Sequence, residues 1–370
     1  MSEEIHEAEG SFFQGWPALL LSIGVIGAAV YSFTPRPDPP FPPTRVQVDE
    51  LLVTDIVRRG ERLIAVGEQG KILFADDPSG PWQTATISPN RGATLTRAAF
   101  VEGDTVVAVG HGSWILRSSD AGQSWTEVLF APDKAEPLQG VAGPFDGRLY
   151  AYGAFGQLQV SSDLGRSWER QELVKAEEAA SESVEEPAND PSSDDYNPFA
   201  DFGSGGGFAF DDFSSRHINA VNQLADGSLV LAGERGTVAR STDGGQTWTE
   251  LDTGYSGSFY GVLEPAPGVM LVHGMRGNVF RSEDGGQNWT ASQVPVAESL
   301  YGGRVTANGE VLLVGGGNAV LRSSDGGKSF RRMTDKDNQA LAAVLPLAAG
   351  RWLTAGENGV RLQTAAGEGA

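Results

Sequence analysis

The segment Ser118-Ser119-Asp120-Ala121-Gly122-Gln123-Ser124-Trp125 recurs four more times, at residues 161–168, 241–248, 282–289 and 323–330. A chain that repeats one Ser-x-Asp-x-Gly-x-x-aromatic phrase at a fixed period is assembled from repeated supersecondary units, which narrows the fold before any other clue is used. Asp120 and Asp163 stand 43 residues apart, and Asp243, Asp284 and Asp325 follow one another at 41. The gap of 80 from Asp163 to Asp243 is one repeat plus an insertion of about 39. Degenerate copies flank the series: Asp77 and Trp82 keep the acid and the indole with Ala75 in place of the serine, and Ala366 falls 41 residues after Asp325. The count is therefore seven.

Upstream of each motif, a short apolar run ends in glycine at Gly67, Gly110, Gly153, Gly233, Gly274, Gly315 and Gly356, and a second apolar run follows two or three residues later. Runs this short, rich in Val, Leu, Ile and Tyr and bounded by Gly, Asn and Asp, predict strands. Four antiparallel strands per 40–45 residues make a propeller blade. The fold class expected is all-β, a seven-bladed β-propeller over residues 44–366, preceded by an N-terminal transmembrane helix. Blade seven lacks a motif turn of its own, so the alternating residues Arg45 to Val48 are expected to supply its fourth strand and close the ring.

The motif reads as a hairpin device. Its glycines permit positive φ, and its Ser and Asp side chains can bond backbone N–H groups that the turn leaves unpaired. The structural set is Asp120, Trp125, Asp163, Trp168, Asp243, Trp248, Asp284, Trp289, Asp325 and Phe330, with each aromatic expected to open strand d and pack between sheets. No metal or cofactor is called for: the loops lack alternating oxygen ligands, and His6, His111, His217 and His273 have no ligand spacing.

Charge is unevenly distributed. The net charge of −21 argues against nucleic acid as a partner. Residues 172–213 hold twelve Asp or Glu against one Lys. The first part of this insertion has the composition of a solvated loop. Its second part sets Tyr196, Phe199, Phe202, Phe208, Phe210 and Phe213 among Asp residues around a glycine run, too many aromatics for a linker alone; these six are the candidate partner-binding residues. Cysteine is absent.

Residues 1–11 form an acidic tail. Residues 12–34 form the expected membrane anchor: residues 12–33 carry no charge and suffice to cross a hydrocarbon core of about 30 Å, with Trp16, Tyr31 and Phe33 near the interfaces. Residues 35–43 contain six prolines, a stiff spacer. Arg36 and Arg45 follow the helix, whereas Glu3, Glu4, Glu7 and Glu9 precede it, a bias toward a cytoplasmic ring.

The Ala65-Val66-Gly67 phrasing, the Asp243-Gly244-Gly245-x-x-Trp248 motif and the seven-fold count resemble the photosystem II stability/assembly factor-like propellers with Asp-box (BNR) repeats, over residues 44–366 without the insertion. The resemblance implies a non-enzymatic assembly or accessory factor for an integral-membrane complex, with an RND-type exporter as the bacterial association. It also implies an inner-membrane anchor with the ring in the periplasm, the orientation taken here over the cytoplasmic face because two arginines are a slight bias. Asp-boxes also occur in sialidases. Tyr260, Tyr301, Arg58, Arg97 and Arg304 are the inner-strand residues from which a glycan-binding or hydrolysing site could be assembled, and a cytosol-facing scaffold is the remaining alternative.

Overall fold

The computed structural model describes residues 16–34, 48–134, 136–176, 213–348 and 350–364. It comprises two units. Among the described residues, the first contains the helix Trp16–Phe33, uncharged and exposed along its length with a mean hydropathy of 1.7. At 1.5 Å per residue it is about 27 Å long, suited to crossing a bilayer.

The second unit is a seven-bladed β-propeller of antiparallel sheets. Blade one has strands a–d at Val53–Arg59, Arg62–Gly67, Ile72–Ala75 and Gln83–Thr84. Blade four has Ile218–Gln223, Leu229–Gly233, Val238–Ser241 and Thr247–Glu250, and among the described residues blade seven has three, Leu341–Pro346, Arg351–Gly356 and Gly359–Thr364. The ring closes where Val53, Ile56 and Leu63 of blade one pack on Leu353 and Ala355 of blade seven. Of the segment expected to complete blade seven, residues 45–47 lie outside the described residues, and Val48 opens a 3-10 turn, Val48–Glu50, set against strand c of that blade.

The recurring glycine that ends strand b has a steric cause. In blade one, a β-carbon on Gly67 would stand 2.1 Å from the Leu52 carbonyl oxygen, because strand a bulges at its start and brings that carbonyl over strand b. Glutamates after this glycine also have a task there: Glu68, Glu234 and Glu357 accept the backbone N–H groups of Leu52, His217 and Ala340 at 2.9–3.1 Å.

The Asp-box turns share one bonding scheme. Ser118 Oγ accepts from Gly122 N at 2.9 Å and donates to Asp120 Oδ1 at 2.7 Å. Asp120 in turn accepts from the backbone N–H groups of Gln123 and Ser124 at 2.9–3.0 Å. Equivalent bonds recur from Ser161 and Asp163 through Ser323 and Asp325. The indoles of Trp125, Trp248 and Trp289 donate to the carbonyls of Gly122, Gly245 and Gly286. Burial of the aromatics is uneven: Trp125, Trp248 and Phe330 are buried, whereas Trp168 and Trp289 are half-buried. Trp168, Trp289 and Phe330 precede the strands d of their blades, Glu169–Arg170, Thr290–Ala291 and Arg331–Arg332, instead of opening them, and among the described residues the Trp168 indole N–H has no acceptor.

An additional device joins neighbouring blades. After strand d of blade one the chain continues as Thr86–Ser88, paired in parallel with Ser124 to Thr126 of blade two. Val174–Lys175, after blade three, likewise pairs with Thr247 and Trp248 of blade four. Gln293 makes a parallel bridge to Ser329 between blades five and six.

Two measurements test this framework. Trp248→Ala removes a fully buried indole between blades three and four and should cost about 3–5 kcal/mol in equilibrium unfolding, as large aromatic truncations do; an unchanged melting temperature would contradict its position. The second concerns acid. Hydrogen bonds from the Ser167 hydroxyl and backbone lower Asp163 from 3.8 to about 2. The folded value lies below the unfolded one, so the stabilisation is present above pH 4 and is lost as pH falls toward 2. Asp163→Asn should flatten the stability-versus-pH curve in that window; an unaltered slope would show that the carboxylate is not held by the turn.

Candidate functional site

The inner strands enclose a cavity of about 650 Å³ at the ring's centre, lined in part by Asp55, Arg58, Arg97, Tyr152, Tyr260, His273, Tyr301 and Arg304. All five inner-strand residues singled out from sequence border it. Asp55, 2% exposed, accepts the Ala98 N–H at 3.1 Å through Oδ2, and Arg304 Nη2 stands 3.7 Å from its Oδ1. Arg304 also donates to the carbonyl of Gly303 at 3.3 Å. Burial lowers its pKa, Asp55 raises it, and the like charge of Arg97 lowers it further. Burial disfavours the charged form of the Arg97 guanidinium, but Tyr152 and Asp55 offset this and leave its pKa raised.

Tyr152 and His273 reach the channel from second strands. Both stand immediately before the blade glycine, where other blades carry Val or Ala. Their size is accommodated by glycine opposite: a β-carbon on Gly140 would lie 2.5 Å from the Tyr152 hydroxyl oxygen, and one on Gly261 would lie 2.1 Å from His273 Nε2. His273 Nδ1 and the Leu300 carbonyl oxygen are 3.0 Å apart, so the neutral ring carries its proton on Nδ1. Burial, reinforced by the charge of Arg97, lowers His273 to about 4 despite that bond. The departure from Val or Ala was the sequence signal for Tyr152 and His273; Asp55 carried none.

This arrangement differs from a sialidase-type centre. Tyr260 and Tyr301 face each other with ring centroids 5.5 Å apart. Burial and the neighbouring Tyr301 raise the Tyr260 pKa, opposite to the activation a phenolic nucleophile needs. The glutamate in the cavity wall, Glu264, is engaged by the backbone N–H groups of Ala225 and Gly268 at 2.7 and 2.9 Å.

The expected partner-binding residues divide. Tyr196, Phe199, Phe202, Phe208 and Phe210 lie outside the described residues. Phe213 is 1% exposed and packs with Trp248, Tyr150 and Leu173, with Lys175 Nζ 5.7 Å from its ring centre. Its assignment to a partner surface is therefore corrected: it is a core residue of the seam between blades three and four. The insertion returns to the ring beside the b-to-c turn of blade three, where Gly156 N donates to the Arg216 carbonyl at 2.8 Å and exposed Phe155 meets His217 edge-on at 4.9 Å.

Comparison with known proteins agrees with the fold. Residues 239–250 match the BNR/Asp-box repeat. No curated protein matches the sequence. Among solved structures, YCF48 bound to a D1 peptide is 16% identical, with a TM-score of 0.61 over 86% of this chain and 95% of that one. YCF48 from Cyanidioschyzon merolae is 17% identical, with a TM-score of 0.61 over 85% and 95%. Streptogramin B lyase is 12% identical, with a TM-score of 0.63 over 86% and 96%. The chain is thus an Asp-box propeller similar in fold to YCF48, on a scaffold that also serves a lyase.

His273 gives this site a measurable signature. Its folded pKa of about 4 lies below its ordinary 6.5, so stability should be full above pH 6.5 and fall as pH drops toward 4. The loss should be about 2–3 kcal/mol over that window. Denaturant melts of His273→Gln should lack this slope while retaining the one below pH 4; persistence of both would place the titration elsewhere.

Proposed function

We propose that this protein is a membrane-anchored, non-enzymatic propeller that docks on an integral-membrane complex as an assembly or accessory factor. The observation that carries this reading is the union, in one chain, of an uncharged apolar helix and a ring shaped like YCF48, a propeller seen bound to a D1 peptide. The central cavity supports it chemically. Arg58, Arg59, Arg97 and Arg304 stand there against two carboxylates, Asp55 and Glu264, in a chain whose net charge is −21. Such a cavity suits an acidic peptide segment of the partner.

In this reading, Tyr196, Phe199, Phe202, Phe208 and Phe210 supply apolar anchors and the surrounding acids a polar rim. The ring sits in the periplasm at the inner membrane, and an RND-type exporter is the partner class suggested by the sequence resemblance. The domain scheme is an acidic tail, anchor, spacer and interrupted ring.

Recovery of partners from gently solubilised membranes tests the proposal. The full-length protein should retain a polytopic membrane protein. Removal of residues 177–212, which leaves Val174–Lys175 on the edge of blade four, should leave the melting transition intact and reduce recovery at least about tenfold, a loss of roughly 1.4 kcal/mol. Undiminished recovery would move docking to the ring or the anchor, and enrichment of glycans in place of a membrane protein would support the glycan-binding alternative.

A further inference from the structure

Strand register places four polar side chains at one level of the central channel. In blades one and two, Asp55 and Arg97 stand on the inner strand opposite Val66 and Val109, the residues just before the blade glycine. Blades three and five reverse the arrangement: Gly140 and Gly261 take the inner position, and Tyr152 and His273 stand opposite them. The glycines clear the space into which the two larger side chains reach, since a β-carbon there would lie 2.5 Å from Tyr152 Oη and 2.1 Å from His273 Nε2. All four residues border the cavity, and Arg304 reaches the same level from blade six, 3.7 Å from Asp55.

Three of these groups have hydrogen-bonding capacity that the fold does not use. Among the described residues, the Arg97 guanidinium has no hydrogen-bond or ion-pair partner. The Tyr152 hydroxyl and His273 Nε2 are likewise unpartnered, on side chains that are only 2% and 1% exposed. Buried polar atoms are ordinarily bonded, so a cluster of unmade bonds facing one cavity points to a ligand. Other charges in the wall are committed: Arg58 and Arg59 donate to backbone carbonyls, and Glu264 accepts from backbone N–H groups.

Charge and donor count define what would fit. Arg97 and Arg304 against Asp55 leave one positive charge at this level, which a monoanion balances and a dianion exceeds. Guanidinium and phenol donors suit a carboxylate. His273 imposes a second condition. Its Nδ1 proton faces the Leu300 carbonyl, so Nε2 presents a lone pair to the cavity and requires an O–H or N–H from the ligand. We infer that this level of the channel binds a carboxylate monoanion carrying a hydrogen-bond donor beside the carboxylate, a chemistry shared by a 2-hydroxy acid and an aspartate within a peptide. Arg97 and the Tyr152 hydroxyl donate to the carboxylate, Arg304 offsets Asp55, and His273 Nε2 accepts the neighbouring donor. The inference rests on the reading of the cavity as a seat for an acidic group and specifies the form of that group.

Ligand stabilisation of the full chain in detergent, at pH 7 and constant ionic strength, tests it, because the rise in melting temperature reports Kd. Sodium glycolate should bind at least about threefold more tightly than acetate, which lacks the donor, and at least about tenfold more tightly than sulfate. Arg97→Met should weaken glycolate at least about tenfold, and Tyr152→Phe, which removes only a hydroxyl, about threefold. His273→Phe should bring glycolate and acetate to equal affinity. In the unaltered chain, the His273 ring resonance, assigned by its loss in His273→Gln, should shift as glycolate is added. Equal binding of the three anions, glycolate affinity unchanged by Arg97→Met and Tyr152→Phe, or an unmoved His273 resonance would each overturn the assignment. N-Acetyl-aspartamide separates the two sources: affinity comparable to glycolate supports an aspartate of the docking partner, whereas binding of glycolate alone supports a free hydroxy acid and removes the cavity from docking. Failure to recover a membrane protein would overturn the docking reading without altering these titrations.

Discussion

The seating of each Asp-box turn on the blade before it is the contact on which the rest of the ring depends. Strands within a blade are satisfied by their own ladders, and outside the short parallel pairings of Thr86–Ser88, Val174–Lys175 and Gln293 a blade has no backbone reason to prefer one neighbour geometry. The turn supplies one. Glycine lets its backbone approach Ile64 or Leu271 at a distance no β-carbon would allow, and an arginine from the preceding blade fixes its carbonyl. The aromatic three residues later then fills the seam. Ser and Asp spend their hydrogen bonds within the turn, which keeps its shape independent of solvent.

On the channel side, a second set of bonds fixes the same seams. Thr54 donates to the Leu95 carbonyl at 2.7 Å, Thr96 to Leu138 at 2.9 Å and Asn219 to Phe259 at 2.8 Å, each bond crossing to the next blade near the start of its inner strand. His273 does the same with Leu300 from the second strand of blade five. A seam held at both ends leaves little freedom for the inner strands, so the positions of Asp55, Arg97 and Arg304 are set by the ring itself. A cavity built in this way is organised before any ligand arrives, which reduces the ordering cost of binding.

The blade count and strand order were legible in the sequence because a turn demands the same few residue types wherever it occurs. Gly67 and its equivalents could be found for the same reason, although their cause, a carbonyl from a neighbouring strand, could not. What escaped was set by contacts between blades. Nothing in the exposed run Thr86–Ser88 marks it as an edge strand, because two or three parallel pairs need no periodic pattern. The burial of Phe213 was hidden by the composition around it, since aromatics set among aspartates read as a surface cluster. Tyr152 and His273 were visible only as departures from Val or Ala at one repeat position; the glycines that admit them, Gly140 and Gly261, lie more than ten residues earlier.

The two faces of the ring consequently differ in what they have left to offer. On the Asp-box face, the motif carboxylates are saturated by their own turns, and the arginines that reach it are committed to carbonyls or to Asp76, Asp226 and Glu310. On the opposite face, the b-to-c turns expose Phe155, and the insertion returns beside it at Arg216. An aromatic that is 56% exposed next to the root of an acidic, aromatic-rich segment has chemistry still available for association. The b-to-c face thus keeps an exposed aromatic beside the root of the insertion, whereas the Asp-box face spends its carboxylates within the turns that hold the blades in register.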